Sequence, residues 1–350
     1  MTATSSRDYV TRNQVYLERF KANLASSMDP AIRELDAEIQ KSLLSLQGAP
    51  NAGALRSFLE GLRKRLSTIT DRNEKRLFKI LQELSDHQST FNASVLRAAS
   101  PQAAAAVKNL SSTAAWVGVL AAPMQATGKL LEPFVASWGA SAIERVEGAI
   151  RIGYAQGKTN QEIVQAIRGT KANSFQDGIL GGVTKRDASA MARTAVQQTA
   201  SAAQQLMYAQ NEDIMDGYMW IATLDGRTSE TCMSLDGQKF KVGKGPFPPI
   251  HINCRSATIP IIDGVDLLSG ATRASADGQV SAKLTYFDWL KGQPASFQDD
   301  ALGPTRAKLF RNGGLSSADF ARLNLSKNFE PMTLDEMRKK NPAAFKRAGI

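Results

Sequence analysis

Cysteine and histidine are scarce: the chain has 350 residues, two cysteines and two histidines. Two thiols make no disulfide framework, so assembly in a reducing cytoplasm is the expectation. With only His87 and His251 present, a Ser-His-Asp device has few ways to form. The GxxxxGK phosphate loop and the HExxH zinc motif are both missing. A zinc deaminase needs H-x-E and PCxxC; here Ile252-Asn253 follows His251, and Cys254 has no CxxC partner. These gaps argue against an enzyme. The first thirty residues are polar and charged with no apolar core, so no secretory signal is expected. Repeats and long low-complexity tracts are also missing.

Long apolar runs are almost lacking. One uncharged stretch lies between Lys108 and Lys129, about the length of a membrane span. It contains Asn109, Ser111, Ser112, Thr113 and Gln125, and Pro123 breaks it. A buried or partner-facing segment is the expectation there, with a membrane-active use of residues 109–128 as an alternative. The Ala-, Ser- and Gly-rich residues 101–130 suit either a hinge or a small-residue helix contact.

What is present is ordinary globular composition, 43% hydrophobic and 22% charged, with a formal net charge of +10. That excess favours polyanionic partners. Arg63-Lys64-Arg65 with Arg72, Lys75, Arg76 and Lys79 forms one basic run. From Arg306 onwards ten Lys or Arg face four Asp or Glu. Both read first as solvated helix faces; a DNA-facing role requires the charges on one continuous surface.

Helical periodicity dominates the first two thirds. Asp29-Pro30 predicts a helix start, with Asp29 as cap. Ile32, Leu35, Ile39, Leu43 and Leu46 form one apolar stripe; Leu55, Leu59, Leu62, Leu66 and Ile69 form a second; Leu77, Ile80, Leu81 and Leu84 continue as a third. Thr159-Asn160-Gln161-Glu162 reads as a capping box and Gly169 as a stop. Asp177-Gly178 and Gly181-Gly182 predict a turn-rich connection. A helix from Asp187 to Asn211 places Met191, Ala195, Thr199, Ala202 and Leu206 on one face. Then the period changes. Tyr218–Leu224 reads as a buried strand, with Phe240–Val242 and Ala257–Ile262 as shorter ones.

The segment from Thr223 to Arg255 gathers Cys232, His251 and Cys254, three of the chain's four thiol and imidazole groups. They are candidate zinc donors, with Asp225 or Asp236 as a fourth ligand. The competing reading is a folded clasp. On that reading Cys232 and Cys254 are small buried hydrophobes. His251 ties the loop to backbone or to Asp225, Arg227 pairs with Asp225 or Asp236, and Gly237 provides positive φ in a tight turn. A Cys232–Cys254 disulfide is a further option in a particle that leaves the cell. The clasp is favoured, because a fourth donor and a general base are not evident.

The same residues resemble the phage head morphogenesis proteins of the Mu F-like type, the minor head or minor capsid proteins of tailed bacteriophages. The resemblance lies in Arg193-Thr194, Trp220, Leu224-Asp225-x-Arg227-Thr228 and Cys232-x-x-Leu235-Asp236-Gly237. It closes with Pro248-Pro249-x-His251-x-x-Cys254-Arg255-Ser256. In many relatives the Cys232 position is Cys or His, and the ending is Cys-Arg-Cys or Cys-Arg-Ser; this chain has the Ser form. The match is densest from Gly157 to Ile262. Trp289-Leu290, Gln293, Phe297-Gln298, Leu302-Gly303, Arg306 and Leu309-Phe310 also look like the tail of such proteins.

The resemblance implies a non-enzymatic virion protein at the portal vertex, made in the host cytoplasm and acting in procapsid assembly or in DNA packaging and delivery. Its implied partners are the portal protein, major capsid or scaffold protein, and packaged DNA met by the basic surface. The alternative is a metal-dependent enzyme built on Cys232, His251 and Cys254. The expected fold is mainly α with a small α+β domain. It has an N-terminal helical region over 1–129, a clasp domain over 130–265 and a basic helical region over 266–350.

Overall fold

The computed structural model describes residues 9–99, 101–262 and 265–350. It is mainly helical, 65% helix and 7% strand, with small antiparallel sheets, as the periodicities predict. The N-terminal helices are α1 (Tyr9–Ser26), α2 (Asp29–Leu44), α3 (Ala52–Ala99), α4 (Pro101–Ala106) and α5 (Ser112–Ala121). Then come α6 (Leu131–Ala155), α7 (Asn160–Arg168) and α8 (Lys185–Gln210).

The second and third stripes belong to one helix. α3 has 48 residues, about 72 Å at 1.5 Å per residue. No Gly or Pro interrupts it between Gly61 and Ala99, so nothing ends it there. The start of α2 departs from the expectation: the cap position is Met28, and no side chain caps it. Asp29 lies in the first helical turn and pairs with Lys185 at 3.1 Å. At α7 the capping box forms as read, with both reciprocal bonds between Thr159 and Glu162, and Gly169 stops the helix at φ 95°. The Gly181-Gly182 pair forms no turn. It lies in a π-helical stretch, Ile179–Thr184, that runs directly into α8.

A single apolar core extends from Leu17 to Ala203, bringing the stripes of α1, α2, α3, α6 and α7 around α8. It crosses residue 130 without a break. α8 tolerates this crowding because Ala188, Ala192, Ala195, Ala200, Ala202 and Ala203 are small and buried. α5 resolves the hinge-or-contact question. Ala115 and Val119 are buried, and the helix packs between α3 and α8. A Cβ on Gly118 would lie 2.5 Å from Leu206 Cδ1, so glycine sets this close approach. Among the described residues, no helix is long and apolar enough to cross a membrane.

The sheet order is β2 (Lys239–Phe240), β1 (Gly217–Ile221), β3 (Ala257–Ile261), all antiparallel. Between β1 and β2 lies a short helix, α9 (Glu230–Leu235), which the strand-and-loop reading missed. Beyond residue 266 the region is less purely helical than expected. It opens with a hairpin of β4 (Thr272–Ser275) and β5 (Gly278–Ser281). Then follow α10 (Tyr286–Lys291), α11 (Ala295–Leu302), α12 (Pro304–Asn312), α13 (Ser317–Asn324), α14 (Leu334–Lys340) and α15 (Pro342–Ala348). These helices share an aromatic core of Tyr286, Phe287, Trp289, Phe310, Phe320 and Phe345, which also takes in Leu224 and Met233 of the clasp.

Candidate functional site

The clasp is built on α8. Asn253 N–H donates to Thr194 Oγ1 at 3.0 Å. Gln197 donates to Ser256 O at 3.1 Å and Gln204 to Thr258 O at 3.1 Å. These polar residues follow one face of the helix at near-helical spacing and satisfy backbone that would otherwise be buried unpaired. From the other side comes Lys21 of α1, which is only 1% exposed. Its ammonium donates to Glu18 Oε1 at 2.7 Å, Gln197 Oε1 at 2.7 Å and Cys254 O at 3.2 Å. Three donors meet three acceptors, which is what a buried ammonium needs. Burial lowers the Lys21 pKa, and Glu18 partly restores it.

The two aspartates of the motif are both held by arginines. Asp225 takes Arg255 Nη1 at 2.6 Å and Nη2 at 2.7 Å, a bidentate pair. Burial alone would raise the Asp225 carboxyl, but the hydrogen bonds and charge of Arg255, helped by Arg227 N–H and the Thr228 hydroxyl, hold it below its ordinary value. Thr228 also donates to Thr223 O at 2.6 Å and so closes the turn. Arg227 pairs with Asp225 as expected, but loosely: its guanidinium is 3.7 Å away and its side chain is 83% exposed, so Arg255 is the closer partner.

Asp236 is fully enclosed. Its carboxylate accepts from Ala222 N at 2.6 Å, Tyr286 N at 2.7 Å, and Arg273 Nη2 and Nη1 at 2.8 and 2.9 Å. Arg273, itself 1% exposed, also donates to Leu284 O at 3.0 Å. This hub joins β1, β4 and α10. Gly237 adopts φ +80°, and a Cβ there would meet Thr285 Cγ2 at 3.0 Å. Pro249 is buried, and its carbonyl accepts from Ala126 N at 3.0 Å, docking the loop on the turn after α5.

Cys232 on α9 and Cys254 on the loop are both buried thiols, their sulfurs 3.9 Å apart. His251 is half-buried, with Nε2 3.2 Å from Cys232 Sγ and Nδ1 2.9 Å from Ile252 O. It makes its backbone contact locally and none with Asp225. The Cys254 thiol is driven well below its usual pKa by its hydrogen bond with Cys232 first and by His251 next, against burial. Cys232 moves the other way, raised by burial first and then by the Cys254 pair. His251 is raised, chiefly through its bond to Cys254. The three donor atoms all lie within 4.8 Å of one another. Neither Asp225 nor Asp236 has an oxygen left over from its arginine, so neither expected fourth ligand is available.

Residues 144–259 match the family model described as "Phage Mu protein F like protein". That segment is similar to the Mu F-like family. It runs from the second half of α6 through α8, β1 and α9 into β3, and it contains every residue of the clasp motif. Over 185 residues the chain is also 25% identical to an uncharacterized protein of Haemophilus influenzae, a match that covers 51% of this chain and 38% of that protein. The chain therefore spans well under half the length of that relative. No solved structure matches it.

Two parts of the site went unseen in the sequence, and one left a trace. Lys21 continues the apolar stripe Leu17, Leu24, Met28 at helical spacing, and a charge on such a stripe marks a buried contact. Arg273 gave no comparable sign.

Above the clasp is a groove of about 610 Å³ lined by Lys21, Arg186, Arg193, Arg227 and Arg255, with Glu18 as its acidic member. The two basic runs singled out in the sequence are spent differently. Arg63 pairs with Glu147, Arg65 with Glu38 and Arg72 with Glu34, each across helices. In the C-terminal region Arg311 pairs with Asp299, Arg338 lies over the Phe345 ring, and Arg347 donates to Gly313 O.

Proposed function

We propose that this chain is a minor head protein of a tailed phage, bound at the portal vertex and acting in procapsid assembly and in DNA packaging or delivery. The observation that carries the reading is the Mu F-like match over residues 144–259, which coincides with the clasp and its supporting helix. Family proteins of this kind are structural and not typically enzymatic. The site's chemistry agrees with that role, since both carboxylates beside the Cys/His cluster are closed by arginines and are unsuited to act as a general base.

Packaged DNA is met by the groove. Arg186 and Arg227 are exposed, Arg193 is half-buried, and together they present a concave cationic surface. The helices of the N-terminal region provide the length to reach portal, capsid or scaffold protein. In this reading the chain is a virion component made in the host cytoplasm.

The test is co-purification with the cognate portal protein from assembled heads, together with infection by a phage lacking the gene. The expected result is retention in portal-bearing heads and loss of infectious particles. Absence from assembled heads with normal infectivity on deletion would sink the proposal.

A further inference from the structure

We propose that Cys232, His251 and Cys254 hold one zinc ion, with a water as the fourth ligand, and that the ion ties α9 to the loop 248–254. The geometry is that of an assembled coordination site. A tetrahedral zinc with bonds of about 2.3 Å to sulfur and about 2.0 Å to nitrogen sets its ligands about 3.8 Å apart for S to S and about 3.5 Å for S to N. The observed sulfurs are 3.9 Å apart, and His251 Nε2 is 3.2 Å from Cys232 Sγ. Small adjustments of three side chains therefore admit the ion.

The donors are also held from behind, as ligating groups are. His251 Nδ1 faces Ile252 O at 2.9 Å, which leaves Nε2 as the ligating nitrogen. Cys232 N–H is bonded by the N-cap hydroxyl of Ser229 at 3.3 Å. Cys254 O is held by Lys21 at 3.2 Å, and the preceding residue is fixed to α8 through Thr194.

Two thiolates and an imidazole form a soft-to-borderline donor set that selects zinc over magnesium or calcium. The two thiolate charges cancel those of Zn²⁺, so a neutral centre results in a buried place. Each cysteine thiol gives up its proton to solvent as the metal–sulfur bond forms. Beside Cys232 and His251 lies a cavity of about 20 Å³ lined also by Thr223, Thr228, Ser229 and Ser256, large enough for one water with hydroxyl partners. Asp225 and Asp236 are committed to Arg255 and Arg273, so a carboxylate does not complete the site, and a free base to deprotonate the water is lacking. The ion's role is to join two segments. This holds whether or not the chain resides in a phage head.

The experiment uses the full chain, purified untagged under reducing conditions without chelator. Elemental analysis is expected to find about one zinc per chain, and at least a tenfold loss in Cys232→Ser or Cys254→Ser. Stripping the wild-type protein lowers its Tm, and Zn²⁺ restores it whereas Mg²⁺ does not. Co²⁺ gives sulfur-to-cobalt charge-transfer absorption with tetrahedral ligand-field bands. Those bands shift on adding azide, because the fourth ligand exchanges. If the serine variants fail to fold, the wild-type zinc content and Tm titration decide the matter. Zinc far below one per chain, with no Tm response to Zn²⁺ in the reduced protein, overturns the site. Cobalt bands indifferent to azide overturn the water.

Discussion

At the scale of single residues, the least dispensable groups are those whose charge is enclosed. Asp236 and Arg273 are both buried, with Asp236 saturated by four hydrogen bonds. Removing one partner of such a pair strands the other, whereas removing both does not. Asp236→Asn is expected to cost about 3–5 kcal/mol in urea unfolding, and the double replacement Asp236→Leu with Arg273→Met to cost less than the single. Gly237→Ala is a smaller case: positive φ and the 3.0 Å approach to Thr285 predict a loss of about 1–2 kcal/mol. The motif made Asp236 and Gly237 legible, because a tight turn after an acid has a local signature. Asp236's partner was not legible. Arg273 lies 37 residues away on a strand without apolar alternation, so nothing local ties it to the turn.

The elements were legible where an apolar stripe repeats. Residues 32–46 and 55–84 show their burial in their spacing, because a helix face against a core must be apolar at every turn. The β4–β5 hairpin lacks that stripe. It is held instead by backbone bonds such as Ala276 N to Leu224 O at 2.8 Å, and its one local sign is Asp277-Gly278 at the turn.

Another element held by side-chain-to-backbone bonds is the loop leading into the π-helical stretch. Asp177 accepts from Thr170 N, Thr170 Oγ1 and Asn173 Nδ2 at 2.8, 2.6 and 2.9 Å. The Thr170 and Asn173 side-chain bonds, then the Thr170 N–H, bring its pKa down to about 2. The folded value lies below the unfolded one, so the loop's stabilisation is present above about pH 4 and is lost as pH falls towards 2. The hydrogen-exchange protection of residues 170–184, relative to unstructured chain at the same pH, is expected to fall across that window, and Asp177→Ala to show the lower protection at neutral pH. An exchange rate in Asp177→Ala equal to wild type would refute this account.

At the scale of the molecule, charge is divided between scaffolding and surface. Part of each basic run visible in the sequence is used between helices, as Arg63 with Glu147 shows at 2.6 Å. The cationic groove instead arises where α1, α8 and the clasp meet, and its accessible charges are Arg186, Arg193 and Arg227. Sequence order cannot display such a surface, because only folding brings its members together. If the groove meets DNA as proposed, Arg186→Glu with Arg227→Glu weakens duplex DNA binding measured by titration. The slope of log K against log salt should flatten by about 0.9 for each phosphate that is no longer neutralised. Glutamates at Arg63 and Arg65 should instead lower Tm and leave that slope unchanged. Equal weakening of DNA affinity by both pairs would refute the assignment of the groove.

Lys21 sets a timetable for synthesis. Its carbonyl acceptor, Cys254 O, lies 233 residues further along the chain, so at 5–20 residues per second the ribosome takes roughly 12–47 s to deliver it. Until then α1 cannot complete the bonds of its ammonium, although the apolar core that takes in Leu17, Leu24 and Met28 already ends at Ala203. The polar contact of the first described helix is thus among the last to be made, and the clasp closes on an element made long before it.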